Sequence, residues 1–454
     1  MSAMASRPGA NDYYGEILAR APEIEARYRA ATPGSAALFE RAGAVFPGSY
    51  TRDAVMRKPY ASFVTGGAGS TLTDVDGRKL VDFWFNATSL PLGHAHPAVI
   101  GAAAEQLKRG TAYFAPTEHE VALAELLIER IPSAERIRFA NSGSEAVMMA
   151  LRFARAFRDR PVVVKFEGSY HGSYDDVSWS VSPAVERAGS ALQPLPVAET
   201  RGLAGTAGRV AVLPFNDTRA LTDFVEKHSG TIATIVIEPL ANRIGLVLPE
   251  REFLLEARRL GDRHGIVLLF DEVIAFRIGY HGAQHEMGVT PDLTTLGKII
   301  GGGFAVGAVA GRADILDLSS PKLKERVTHA GTFNANPMTA VAGLATMQAL
   351  TPQVFGAMNA LGAHARQRLA KACEGLPLQV TGAGSLFKVT ATNRPIRNYR
   401  DGAEAVKPWE EAVSLALLTE GFLLTPTLSG CVSAVTTTAE VDALVDAFAR
   451  IVEG

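Results

Sequence analysis

Lys298 follows PDLTTLG and precedes IIGGG, so a primary amine stands just ahead of three consecutive glycines, Gly301, Gly302 and Gly303. The triple glycine predicts neither helix nor strand and lets a ligand or another chain approach the backbone closely. Such a lysine is either a working amine at a strand end or an ordinary surface cation before a turn. In IVLLFDEVIAFR an apolar strand delivers Asp271-Glu272 at its carboxyl end, where α/β sheets gather their ligands. That carboxylate reads equally as a ligand contact or a helix cap. The only Gly-Lys pair, Gly297-Lys298, is followed by Ile299, so no G-x-x-x-x-G-K-[ST] phosphate loop exists and an NTPase is disfavoured. In RIRFANSGSEAVMMALRFARAF, Ser142, Gly143 and Ser144 stand at a strand-to-helix turn, where free N–H groups and the positive helix end can hold a phosphate. The same residues fit a capping box, Ser142 with Glu145, and the two readings are compatible. Tyr170 and His171 in FEGSYHGSYDD offer a flat side chain to an aromatic ligand, or a packed loop aromatic.

Taken in order, anion cup, aromatic, strand-end aspartate and lysine make the set that pyridoxal phosphate requires. An amine forms the Schiff base, a carboxylate keeps the pyridine nitrogen protonated so that the ring draws electrons, and a helix N-terminus anchors the phosphate. Each element is weak alone, and the order and spacing carry the inference.

The elements that must position these groups follow from periodicity. Helical patterns fall at 97–109, 117–130, 144–157, 219–228 and 250–264, alternating with strand patterns at 136–140, 162–166, 210–214, 232–237 and 266–270. Runs such as TIVIE and IVLLFDE suit strands covered on both faces of a parallel sheet, hence a doubly wound α/β domain. Residues 12–45 read as amphipathic helix, broken at Pro47-Gly48. Gly66, Gly67 and Gly69 then lead into TLTDVDGRKLVDF, a hairpin turning at Asp76-Gly77. Beyond Gly331, helices at 336–349, 353–375, 408–420 and 438–452 with a strand near 385–391 make a smaller α+β unit. The stretch 183–208 reads as a long loop. The expected division is an arm over 1–74 that joins the small domain in space, a large cofactor-binding domain over 75–335, and a small domain over 336–454.

Composition excludes other classes. The 454 residues carry 45 Lys+Arg against 47 Asp+Glu, with no basic run, so no nucleic-acid or lipid-surface role is expected. No stretch reaches the ~18 apolar residues of a membrane span, and the N-terminus lacks the pattern of a secretory signal. Two isolated cysteines, Cys373 and Cys431, suit neither a disulfide framework nor a metal site, so no metal is expected and the cytoplasm is the expected compartment.

NSGSEA, YHG, the EPL after TIVI, LLFDEV, TLGKIIGGG and HAGTFNANPMTA, together with GHAHP at 93–97, resemble the motifs of class III pyridoxal-phosphate aminotransferases. The resemblance spans residues 70 to 345 and implies fold-type I architecture and a homodimer with active sites at the subunit interface. It implies Lys298 as the Schiff-base and proton-carrying lysine, Asp271 as partner of the pyridine nitrogen, Ser142, Gly143 and Ser144 as the phosphate cup, and Tyr170 as the stacking aromatic. Thr332 resembles the threonine that reaches the phosphate of the neighbouring subunit's cofactor, and Glu238 and Asn216 match positions near the cofactor.

Within the class, the chain resembles the subgroup of glutamate-1-semialdehyde aminomutases and β-amino-acid (β-phenylalanine-type) aminotransferases. Two departures stand against the aminomutase. FNATSLPLGHAHP has Ala87 or Thr88 where that enzyme carries a Trp, and TPTLSGCVSAV has Leu428 and no acid where it carries a Glu. FPGSYTRDAV, by contrast, resembles the segment of the β-amino-acid enzymes whose Arg contacts the substrate carboxylate, and Arg52 is the matching residue. A guanidinium suits a carboxylate geometrically, although a loop arginine is also ordinary surface. The reading is therefore a ping-pong transfer from a β-amino acid to 2-oxoglutarate or pyruvate, with intramolecular transfer of the aminomutase kind as the alternative and a non-catalytic binding scaffold as a further rival. Arg394, Arg397 and Arg400 are candidates for a second carboxylate contact by sequence proximity alone. Phe83, Trp84, Phe85 and Tyr113 are candidates for pocket or core.

Overall fold

The computed structural model describes residues 10–453, so the outer ends of the expected arm and small domain, residues 1–9 and 454, lie outside the described residues. The arm opens with helices Ala10–Ala31, which carries Pro22 in its interior, and Pro33–Gly43, which starts afresh at Pro33, a first-turn position that proline favours. A meander follows: β1 (Val64–Ala68), β2 (Thr71–Asp74) and β3 (Lys79–Asp82), successive strands antiparallel. The Asp76-Gly77 turn lies between β2 and β3 as expected, whereas Gly66 and Gly67 are part of β1 rather than of a loop leading in.

Seven strands then build the central sheet: β4 (Arg136–Ala140), β5 (Val162–Phe166), β6 (Val210–Leu213), β7 (Ile232–Ile237), β8 (Val267–Asp271), β9 (Leu293–Gly297) and β10 (Gly307–Gly311). Their order is β4-β10-β9-β8-β7-β5-β6; the five strands β5 to β9 run parallel, and β10 pairs antiparallel with both neighbours. Alternate residues point to opposite faces. Val164, Phe166, Ile235, Ile237, Leu268 and Phe270 pack with Leu221, Val225, Phe253 and Leu260 of helices Thr218–His228 and Arg251–His264. Val163, Val236, Val267, Leu269 and Val309 pack on the other face with Ala146, Ala150 and Phe153 of helix Gly143–Arg158. Burial on both faces explains why β7 and β8 read as continuous apolar runs.

The remaining strands are β11 (Gln379–Thr381), β12 (Leu386–Thr390), β13 (Phe422–Leu423) and β14 (Ser429–Cys431). β11, β12 and β14 form an antiparallel sheet, while β13 runs parallel to β3 and extends the meander of the arm. The arm and the C-terminal region therefore share a sheet, and they share a core in which Tyr13, Tyr14 and Tyr28 pack with Trp409, Val413, Leu444 and Phe448. β3 belongs to this small sheet, so the arm's sheet extends past residue 74. Cys373 and Cys431 are both buried and free. No helix among the described residues is long and apolar enough to cross a membrane.

Candidate active site

Consecutive strands of the central sheet end beside one cavity of about 450 Å³, lined by Ser142, Gly143, Ser144, Tyr170, His171, Glu238, Asp271 and Lys298, with Arg52 and Asn86. The β4-to-helix turn forms one end of it. The Ser142 hydroxyl caps helix Gly143–Arg158 by accepting from Glu145 N (3.1 Å). Glu145 Oε2 in turn accepts from Asn141 N (2.8 Å), one residue earlier than in a standard capping box. Ser144 Oγ accepts from Ser173 N (3.1 Å), which ties the loop after β5 to the helix start. Two glycines keep that approach open. A Cβ at Gly143 would stand 3.0 Å from the methyls of Val273, and one at Gly172, where φ is +92°, would overlap the Ser144 side chain.

Asp271, the last residue of β8, is held from three sides. Its Oδ1 accepts from Thr295 Oγ1 (3.0 Å), its register neighbour on β9, and from Val273 N (3.2 Å), while Oδ2 meets His171 Nδ1 at 2.9 Å. Burial pushes the imidazole of His171 down, against the opposing pull of Asp271, and so favours the neutral ring. A carboxylate partner selects the tautomer that donates from Nδ1. Asp271 also lines the cavity. Its carboxylate is oriented toward a ligand space by a hydroxyl, an amide and an imidazole.

Lys298 follows β9 directly and opens a 3-10 turn, Lys298–Gly301, a short helical turn where the glycines predicted neither helix nor strand. Its φ of +48° is a left-handed conformation that non-glycine residues rarely hold, and such strain persists where the surroundings fix it. Burial lowers the pKa of its amine, with Asp271 and Glu238 acting the other way. A lysine depressed by burial carries more of the neutral amine that attacks carbonyls.

Glu238, just past β7, is buried, and desolvation followed by the nearby Asp271 carboxylate pushes it up to about 8. Its Oε2 accepts from Tyr170 N (2.9 Å) and fixes that aromatic's backbone at the cavity wall. Lys165, fully buried on β5, donates to Ser169 O (3.0 Å) and to Trp179 O, which holds the same loop from beneath. Arg52 enters from the arm and donates to Asn86 Oδ1 over a long 3.4 Å.

Other expected residues lie elsewhere. Asn216, despite its predicted place near the cofactor, does not line the cavity: its amide donates to Arg397 O (2.9 Å) and accepts from Glu250 N (2.8 Å), bracing a loop beyond β6. Thr332 is exposed and does not line the cavity of its own chain. Arg394 pairs with Glu404 (3.1 Å), Arg397 with Glu250, and Arg400 with Glu167 (2.8 Å). Phe83 and Phe85 are core, Tyr113 bonds Arg109 O, and Trp84 lines an adjoining cavity. Sequence reasoning missed the roles of Thr295, Asn86 and Lys165. Only Thr295 left a signal, two residues before the Gly297-Lys298 step.

A helix start able to receive an anion, a fixed carboxylate and a buried amine around one cavity fit a phosphorylated pyridine aldehyde. No cluster of three or more His, Cys, Asp or Glu able to hold a metal occurs among the described residues.

Residues 53–452 match the profile of the class-III aminotransferases. The chain is 39% identical over 423 residues to the glutamate-1-semialdehyde 2,1-aminomutase of Methanothermobacter thermautotrophicus, covering 92% of this chain and 98% of that one. Its fold is similar to that of an omega-transaminase from Sphaerobacter thermophilus, with a TM-score of 0.90 and 44% identity over 92% of this chain and 97% of the other. It is also similar to a β-phenylalanine aminotransferase from Variovorax paradoxus, with a TM-score of 0.88 and 32% identity over 97% and 98% of the two chains.

Proposed function

Because the chain belongs to the class III aminotransferases, enzymes dependent on pyridoxal phosphate, we propose that it moves an amino group from a β-amino acid to a 2-oxo acid in two half-reactions. Bound pyridoxal phosphate supplies an aldehyde that takes up and releases the amino group and a ring that draws electrons from the reacting carbon. The chain's own residues do the rest. Ser142, Gly143 and Ser144 hold the phosphate at the helix start. Asp271, oriented by His171 and Thr295, keeps a proton on the ring nitrogen. Tyr170 covers one ring face, and Lys298 Nζ carries the proton on and off the substrate carbon.

The observation that carries the substrate class is Arg52, a guanidinium from the arm that lines the same cavity as Lys298 and, among the described residues, has one long bond to hold it. It is free to turn to a substrate carboxylate. In a homodimer, the exposed Thr332 would face the neighbouring subunit's cofactor.

Intramolecular transfer of the aminomutase kind is the second reading. Behind it stand the name carried by the curated relative at 39% identity and Glu410, an acid that helix Lys407–Thr419 brings to the adjoining cavity although the C-terminal turn has none.

The test is a half-reaction. Purified holoprotein is mixed with 3-amino-3-phenylpropanoate without an oxo acid, and the cofactor's visible absorbance is followed, with Lys298→Ala as control. Loss of the aldehyde-form absorbance in the wild type only, restored by 2-oxoglutarate or pyruvate, is the expected outcome. A cofactor discharged by glutamate-1-semialdehyde and indifferent to β-amino acids would overturn the proposal in favour of the second reading.

A further inference from the structure

A second cavity of about 560 Å³ opens beside the first, and Ala87, Tyr170, Ile274 and Lys298 line both. Its far wall is β12. Leu386, Lys388 and Thr390 face the cavity, while Phe387 and Val389 between them point into the core shared with the arm. A strand packed in this way has no need of a lysine in the middle. Lys388 is nevertheless buried, with Nζ donating to Thr427 O at 2.5 Å and standing 3.7 Å from Glu410 Oε2. That ion pair is longer than a hydrogen bond. An ammonium has three protons to give, so a residue that lines the cavity keeps donor capacity beyond its bond to Thr427 O. Glu410 is itself tied down, its Oε1 accepting from Ala391 N (3.1 Å). Among the charged residues lining the cavity, four cations, Arg243, Lys298, Lys388 and Lys407, outnumber the two carboxylates, Asp53 and Glu410.

We propose that Lys388 is the binding group for a second carboxylate, the one a dicarboxylic substrate carries away from its reacting carbon, and that Glu410 is its resident counterion when that carboxylate is absent. The inference deepens the proposed transfer to a 2-oxo acid and rests on it for the identity of the dicarboxylate, an acceptor of the 2-oxoglutarate class. It also accounts for the three arginines near residue 400, which are all engaged elsewhere and line neither cavity. Burial lowers the Lys388 ammonium and raises the Glu410 carboxyl, each countered by the other, so the pair is poorly solvated and an arriving anion replaces little water.

The test uses holoprotein and two probes that carry neither an amino nor an oxo group, glutarate and pentanoate, with affinities measured by calorimetry. The wild type is expected to prefer glutarate by roughly tenfold or more, the scale of one charge-assisted hydrogen bond. Lys388→Met should abolish the preference, Lys388→Arg should keep it, and Arg243→Ala should leave most of it. If the single Met variant fails to fold, Lys388→Met with Glu410→Gln removes both charges together and carries the same expectation. Equal affinities in the wild type, or a preference that survives loss of Lys388, would overturn the assignment. A Lys388-dependent preference in a protein that no β-amino acid discharges leaves the subsite standing and removes the β-amino-acid reading, so the two failures are distinguishable.

Discussion

The anion cup depends on a residue that contributes no side chain, and Gly172→Ala isolates its effect. Gly172 has φ +92°, and a Cβ there would overlap Ser144 Oγ and stand 2.7 Å from Ser144 Cα. Gly202 has nearly the same backbone, φ +90°, with nothing within 4 Å of its virtual Cβ, so Gly202→Ala carries the conformational cost without the collision. That cost is about 1–2 kcal/mol for either alanine. The collision is the difference between them. Restoring ordinary contact at 3.4 Å from a 2.7 Å approach requires a shift of about 0.7 Å, and closely packed protein yields such a shift only by moving the helix start or the loop. Either motion strains the Ser173 N to Ser144 Oγ bond of 3.1 Å and turns the cup's donors away from a bound phosphate. A hydrogen bond to a charged group contributes about 1.5–3 kcal/mol, so impairing one should raise the dissociation constant of pyridoxal phosphate roughly 10- to 100-fold. The assay is absorbance titration of apoprotein with cofactor, with thermal midpoints of both apo variants recorded beside it. Both variants should lose midpoint, Gly172→Ala more because the collision adds to the shared backbone cost, and weakened cofactor binding is expected only in Gly172→Ala. If Gly172→Ala binds cofactor as tightly as Gly202→Ala, the placement of the phosphate at Ser142–Ser144 is wrong.

Two further predictions concern charged groups around the same cavity. Arg52→Ala should raise KM for β-amino acid donors roughly 10- to 100-fold through loss of a charged hydrogen bond, while an amine donor without a carboxylate should be unaffected, as steady-state kinetics with both donors would read. For Glu238, whose pKa rises from 4.5 to about 8 in the fold, the unfolded chain releases a proton across that window and the folded chain retains it. Stability of the wild-type apoprotein therefore falls as pH rises from 4.5 to 8, at up to roughly 1.4 kcal/mol per pH unit from this group, and Glu238→Gln lacks that loss. Thermal midpoints measured from pH 5 to 9 should show the variant gaining on the wild type up to about pH 8 and holding a constant lead above it; a gap independent of pH would mean that Glu238 is ionised throughout.

The central sheet was legible because its signals are local. β7 was expected at 232–237 and is Ile232–Ile237, and helix Gly143–Arg158 begins at the capping serine read from NSGSE. Apolar runs, caps and glycine stops each act within a few residues. What the sequence did not disclose is pairing at long range. β13 contributes only Phe422 and Leu423, and its partner on β3 lies some 340 residues earlier, so no local period marks it. β10 reads as GAVAG, too small in side chain to look like a strand, yet it lies antiparallel between β4 and β9, where a Cβ at Gly307 would collide with the Ser142 backbone. Gly307 leaves room for the Ser142 turn, and Gly311 leaves room for Asp292 and Leu293.

The same contrast divides the site itself. The groups assigned to the cofactor, Ser142, Tyr170, Glu238, Asp271 and Lys298, sit on or just past the ends of strands in one sheet, so strand boundaries nearly suffice to assemble them. The groups assigned to the substrate, and the counterion of one of them, come from three unrelated elements: Arg52 from the arm, Lys388 from β12, and its counterion Glu410 from the first turn of helix Lys407–Thr419. Each looks ordinary where it stands. A lysine between Phe387 and Val389 alternates as a residue on the wet face of a strand should, and a glutamate in the first turn of a helix is good capping chemistry. Only the closure of the arm sheet onto β13 and the packing of β12 over the cavity make that face an interior one. A site built in this way lets the substrate-reading residues change without disturbing the sheet that holds the cofactor. Two chains alike over more than nine-tenths of their length, as this one is to both an aminomutase and a transaminase, can therefore differ in reaction through a few side chains on elements outside the sheet. The Arg52 and Lys388 variants, rather than overall likeness, are where the choice between intermolecular and intramolecular transfer is to be read.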